Sequence, residues 1–215
     1  LVNERLRRLA AQQSADIHVR LNNEQITVVR GTATLTSDRE VLVSSGAGEH
    51  SLSADIILIA TGAQPRVLAT AIPDGRRILT WKQLYDLEEL PQHLIVVGSG
   101  VTGAEFASAY HALGSEVTLV SSREHVLPGQ DSDAAQVIEE VFARRGITVV
   151  SRARAESVQA GSDGVRVQLA DGRVIEGSHC LMAVGSLPNT SGLGLDAAGV
   201  ETDERGFVQV DRVSR

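Results

Sequence analysis

Three glycines at positions 98, 100 and 103, in the run Gly98-Ser99-Gly100-Val101-Thr102-Gly103, are spaced to hold a phosphate ester without one charged side chain. The first permits a tight turn, the second lets a ligand approach bare backbone, and the third lets a helix lie close to a strand. Glycine is common, so the run alone carries little weight. Here it follows the apolar segment His93–Val97 (HLIVV) directly, opens a helical pattern and precedes a second strand, which is the context the chemistry needs. The N–H groups left unpaired at the helix start would face the pyrophosphate of a dinucleotide, with the positive end of the helix dipole behind them. The expected contacts are Gly98, Ser99, Gly100, Val101, Thr102 and Gly103. The alternative is a glycine-rich turn with no ligand.

The end of the second strand separates NAD from NADP. An acid there accepts hydrogen bonds from the adenosine ribose, whereas a 2′-phosphate calls for hydroxyls and a guanidinium. The strand Glu116–Val120 (EVTLV) is followed by Ser121-Ser122-Arg123, with no acid at that position. These three residues are expected to bind the 2′-phosphate of NADPH, with NADH also accepted. Arg123 has a second reading, as a solvated loop charge beside Glu124.

The elements that would position these residues alternate after Pro91. A strand at His93–Val97, a helix over Gly103–Leu113, a strand at Glu116–Val120, a helix over Ser132–Arg145 capped by Asp131 or Ser132, and a strand at Ile147–Val150 make βαβαβ. Such connections favour a parallel sheet. Asp171-Gly172 between Val165–Ala170 and Val174–Glu176 signals an antiparallel ribbon inserted before another buried strand, Cys180–Val184. Before Pro65 the pattern differs. A charged helix from Asn3 to Gln13 has no cap, as in a chain cut from a longer one. Strands follow at Gln25–Arg30, Thr32–Leu35, Glu40–Val43 and Asp55–Ala60, and a proline-rich stretch with a short helix near Trp81–Leu87 leads on.

Composition narrows the function classes. A net charge of −7 with no basic block argues against nucleic acid or an anionic membrane as partner. No run of about 18 apolar residues exists and the first residues lack a signal-peptide core, so a cytoplasmic protein is expected. Cys180 is the single cysteine, which excludes an internal disulfide or a CxxC or CxxxxC pair within these 215 residues. It lies in an apolar run, where packing explains it better than nucleophilic chemistry. The histidines at 18, 50, 93, 111, 125 and 179 show no metal-ligand spacing, so no metal is expected.

Two further segments share one layout: Ala60-Thr61-Gly62-Ala63-Gln64-Pro65 and Ala183-Val184-Gly185-Ser186-Leu187-Pro188-Asn189. Two such junctions on either side of GxGxxGxE resemble the pyridine nucleotide–disulfide oxidoreductase family, in which an NAD(P) domain is inserted into an FAD domain. The resemblance covers nearly the whole chain. It implies a Rossmann-like FAD/NAD(P)-binding α/β fold, with a parallel sheet and an antiparallel β insertion. Residues 1–90 would be part of the FAD domain with its connection, 91–190 the NAD(P) domain, and 191–215 the return to the FAD domain. It further implies that Ala60, Thr61 and Gly62 close over FAD, that the backbone of Ala33 meets its adenine, and that Gly185 lies near the bound pyridine nucleotide. Glu105 matches the acid near the nicotinamide and flavin; its alternative is a helix-start acid stabilised by the dipole.

Within the family, WKQLYDLEELPQHLIVVGSGVTGAEF and GSHCLMAVGSLPNTSGLGL are most similar to lipoamide-dehydrogenase-like NAD(P)H quinone reductases, which lack the redox cysteine pair. The resemblance implies a homodimeric parent enzyme that passes electrons from flavin to a quinone. The alternatives are a dihydrolipoamide dehydrogenase-type disulfide reductase and, outside enzymes, an isolated dinucleotide-binding module. The family's N-terminal FAD turn and C-terminal dimerisation domain would lie outside residues 1–215, so the chain alone is expected to be inactive.

Overall fold

The run His93–Val97 is apolar beyond its first position because both of its faces are covered. Leu94 and Val96 join one buried cluster with Val117, Leu119, Ala104, Ala107, Tyr110 and Phe142. Ile95 and Val97 join a second with Val158, Val165, Val167, Cys180 and Met182. Alternate side chains of a strand point to opposite faces, so a strand covered on both sides has no polar face to show. The computed structural model that reveals this describes residues 2–213.

These residues divide into two units, one holding residues 2–9 with Pro65–Gly185 and the other Ala10–Gln64 with the residues from Ser186 onward. In the first, a five-stranded sheet runs in the order Ile78–Leu79, His179–Met182, His93–Val97, Glu116–Val120 and Thr148–Val150. Every pairing is parallel. The helices Val101–Leu113 and Ser132–Arg145 supply one buried cluster, and the antiparallel ribbon Ala155–Ala160, Val165–Leu169 and Val174–Gly177 supplies the other. The expected α/β fold, with a parallel sheet and an antiparallel insertion, is therefore present.

Both helices end on glycines in the left-handed region, Gly114 and Gly146. Their starts differ. The helix Ser132–Arg145 is closed by Asp131, whose carboxylate accepts from the N–H groups of Asp133 and Ala134. The helix Val101–Leu113 begins at Gly100 with no side-chain cap.

The second unit contains most of the helix Val2–Asn23, which has no buried residue. It also contains the antiparallel sheet of Thr32–Leu35, Glu40–Ser45 and Gly48–Ser53. Ala63–Pro65 pairs with Ser186–Pro188. Several expectations are corrected here. The first helix runs on to Asn23, while Gln25–Arg30 and Asp55–Ala60 form no strands. Ile56 and Leu58 are 88% and 86% exposed. β propensity makes a strand only where a neighbour supplies the ladder, and none of the described residues does so for these segments.

Candidate functional site

The glycine turn is fixed by close contacts. Gly98 has φ +109°, a conformation that disfavours side chains, and a Cβ there would lie 2.2 Å from the carbonyl oxygen of Ala183. A Cβ on Gly103 would lie 1.8 Å from the carbonyl oxygen of Gly98, so the helix rests directly on the turn. Gly100 is different: a Cβ there meets no atom within 4 Å. Two glycines thus make room for the protein, and the third faces open space at the helix start.

That start has the properties of an anion site. The N–H of Ala104 is the first to bond inside the helix, to the Gly100 carbonyl, at 2.9 Å. The N–H groups of the first turn are free to bind an acceptor, and no acid of the first turn competes for them. Val101 and Thr102 stand at the rim, the first exposed and the second half-buried. Glu105 is exposed one turn along the helix, on the face that also carries Ser108 and Ala112; with Leu127, Gln130 and Phe142 they line a groove of about 660 Å³.

Ser99 and Ser121 form a buried pair, with their hydroxyl oxygens 2.7 Å apart. Ser121 also accepts from the N–H of Arg123 and donates to its carbonyl oxygen, both at 3.1 Å. A serine hydroxyl has one donor and two acceptor positions, so Ser99 is the donor of the pair and Ser121 is saturated. Ser121 therefore lies behind the surface, shaping the Arg123 backbone, where a phosphate-contacting hydroxyl had been expected. Ser122 and Arg123 are exposed. Glu124 pairs with Arg152, which leaves the Arg123 guanidinium without an ion pair among the described residues.

Gly185 closes the same unit with φ +99°, exposed, its carbonyl oxygen accepting from the N–H of Arg66 at 3.0 Å. In the second unit Gly62 has φ +69°, and Asn189 grips both residues before Ala63: its N–H donates to the Gly62 oxygen at 3.0 Å and its Nδ2 to the Thr61 oxygen at 2.9 Å. Ala60, Thr61 and Gly62 are all exposed. Ala33 lies in the strand Thr32–Leu35, opposite Val43, two residues before a Leu35 N–H that donates to Leu193.

Sequence reasoning gives Asn189 no work and misses Arg152 altogether. The signal for Asn189 is its place at the end of the second junction, where a side-chain amide can reach the first. Nothing along the chain links Arg152 to Arg123. Cys180 is fully buried in the sheet, its Sγ 3.7 Å from the Met182 sulfur, and burial pushes its thiol pKa up to about 12. Among the described residues no three His, Cys, Asp or Glu side chains gather where they could share a metal, and no helix is long and apolar enough to cross a membrane.

The chain is 52% identical over 221 residues to the NAD(P)H dehydrogenase (quinone) of Mycobacterium tuberculosis, covering 100% of this chain and 45% of that protein. It is 38% identical to the dihydrolipoyl dehydrogenase of Chlorobaculum parvum, over 99% of this chain and 46% of that one. The crystal structure of LpdA from Mycobacterium tuberculosis superposes with a TM-score of 0.91 at 50% identity, over 100% of this chain and 48% of that one. The chain thus spans about half the length of the relatives it matches. The family model for pyridine nucleotide-disulphide oxidoreductases matches residues 2–215, and the chain belongs to that family.

Proposed function

We propose that the chain is the pyridine-nucleotide-binding domain, with part of the FAD-binding domain, of a flavoprotein that oxidises NAD(P)H and passes the electrons to a quinone. The observation that carries the reading is the open start of the helix Val101–Leu113. Its donors have no side-chain cap and its neighbour Gly100 leaves space, whereas the start of the helix Ser132–Arg145 is closed by Asp131. The residues present fit a dinucleotide pyrophosphate. In this reading Pro65–Gly185 hold NAD(P), which moves the boundaries of 91–190 outward to the unit that shares one sheet, while Ala10–Gln64 and the residues from Ser186 onward belong with FAD.

The bound nicotinamide and flavin supply the hydride chemistry. The chain's own work is to hold and orient them. The N–H groups of Val101, Thr102 and Gly103 take the pyrophosphate, and the dipole favours its charge. Ser122 and Arg123 take the 2′-phosphate, so that NADPH is preferred and NADH tolerated. Glu105 orients the nicotinamide, with Gly185 leaving room for it. Ala33 meets the FAD adenine, and the junction of Ala60, Thr61 and Gly62, braced by Asn189, closes over FAD.

The acceptor is inferred from the relative named for a quinone, whose 52% identity stands well above the 38% of the one named dihydrolipoyl dehydrogenase. A homodimeric parent, implied by the resemblance, and a cytoplasmic location, expected from the sequence, accompany this reading as proposals. Calorimetric titration of this chain with NADPH and NADH tests the cofactor site. NADPH should bind more tightly, and Arg123→Ala should weaken it by about tenfold, one charge-assisted hydrogen bond, while leaving NADH nearly unchanged. Equal binding of the two would remove the 2′-phosphate site. Turnover of NADPH with a quinone, and with dihydrolipoamide as the competing partner, assigns the acceptor in the full-length protein.

A further inference from the structure

We propose that Arg152 is the second arm of the 2′-phosphate site, parked on Glu124 and handed to the phosphate when NADPH binds. The proposal rests on the NADPH reading above. Three backbone hydrogen bonds place Arg152 there. The N–H of Ser121 donates to Val150, that of Ala153 to Ser121 and that of Arg152 to Arg123, at 2.9, 2.8 and 2.9 Å. The segments leaving the strands Glu116–Val120 and Thr148–Val150 are thus stitched side by side, beyond the carboxyl ends of the sheet, where open α/β sheets bind their ligands. Arg152 and Arg123 become neighbours through backbone, whatever their side chains do.

Arg152 also has φ +53°, a left-handed conformation that long side chains seldom adopt. Its turn, Ser151-Arg152, contains no glycine to relieve it. Strain of this kind, once observed, points towards a functional position.

Glu124 explains how the site works with and without the phosphate. The Glu124 carboxylate neutralises the Arg152 guanidinium and so limits repulsion between two cations whose backbones are joined. Its ion pair with Arg152 is largely in water, with 60% and 72% of the two side chains exposed, so it is weakly held. A phosphate brings nearly two charges and three acceptor oxygens and can take the guanidinium from a single carboxylate. With NADH the pair simply stays closed. One loop then serves both cofactors, with Arg123 always available and Arg152 recruited only by NADPH.

The test uses the full-length protein and the probes 2′,5′-ADP and 5′-ADP, titrated calorimetrically. Arg152→Asn is the variant of choice, because asparagine tolerates the left-handed region. It should weaken 2′,5′-ADP about tenfold and leave 5′-ADP within about twofold, as expected for losing one charge-assisted contact. Glu124→Gln should tighten 2′,5′-ADP by freeing Arg152 and removing a like charge. If Arg152→Asn leaves 2′,5′-ADP unchanged while Arg123→Ala weakens it, Arg152 has no part and the NADPH reading survives. Equal weakening of both probes would make Arg152 structural and overturn the proposal. A wild-type protein that does not distinguish the probes overturns both. Should the Asn variant melt early, Glu124→Gln decides: no gain for 2′,5′-ADP overturns the proposal.

Discussion

Ser121, just past the strand Glu116–Val120, and Cys180, inside the strand His179–Met182, are both fully buried, and their surroundings assign them different work. Ser121 spends all its hydrogen-bonding capacity on Ser99 and Arg123, so it sets the shape of the loop. The Cys180 thiol points to the Met182 sulfur, 3.7 Å away, and burial holds it protonated. The thiol should resist alkylation in the folded chain at about pH 8 and react once the chain is unfolded in urea. Its sign in stability follows. A pKa raised from 9.0 to about 12 adds stability below the unfolded value, which is lost as pH rises from 9.0 through 12. Cys180→Ala should flatten that alkaline decline in a urea titration; an unchanged slope would show that the thiol is not its source. The sequence hinted at the buried cysteine through its apolar neighbours. It could not show that Ser121 is saturated, because the partners that saturate it come from another strand end and from its own loop.

At the scale of elements, the three glycines divide into those that make room for the protein and the one that makes room for a ligand. Gly103→Ala must push the helix off the strand, because the new methyl would overlap the Gly98 oxygen, and should destabilise the chain by roughly 1–3 kcal/mol or more. Gly100→Ala meets nothing in the protein, so it should melt close to wild type yet lose dinucleotide binding. Thermal melts beside calorimetry separate the two, and a Gly100→Ala chain that still binds would remove the proposed site. This much was legible, since spacing, preceding strand and following helix all pointed one way. The helices and central strands of the Pro65–Gly185 unit were legible for the same reason. Ala155–Ala160 was not, because only Val158 of its six residues is buried and an edge strand with one anchor leaves no alternation to read. Asp55–Ala60 misled in the opposite direction, with strand-like residues and no ladder.

Over the whole molecule, order is unevenly distributed. The Pro65–Gly185 stretch packs two buried clusters around a parallel sheet. Residues 26–30 and 56–60 lie in neither helix nor strand and are mostly exposed. Amide exchange should follow this division, since protection tracks burial and hydrogen bonding. In the 215-residue chain, amides of His93–Val97 and Glu116–Val120 should exchange slowest and those of residues 54–60 among the fastest; comparable protection in both would contradict that division. One further consequence follows from the hydrogen bond between Arg66 and Gly185. It brings the two ends of a continuous stretch of chain together, so that stretch enters and leaves the rest of the protein through a single doorway. A cassette with adjoining ends can be exchanged between relatives without rerouting the host chain. Under the proposed function, cofactor preference would travel with it, and such a graft could change which nicotinamide an enzyme burns while leaving its flavin and its acceptor alone.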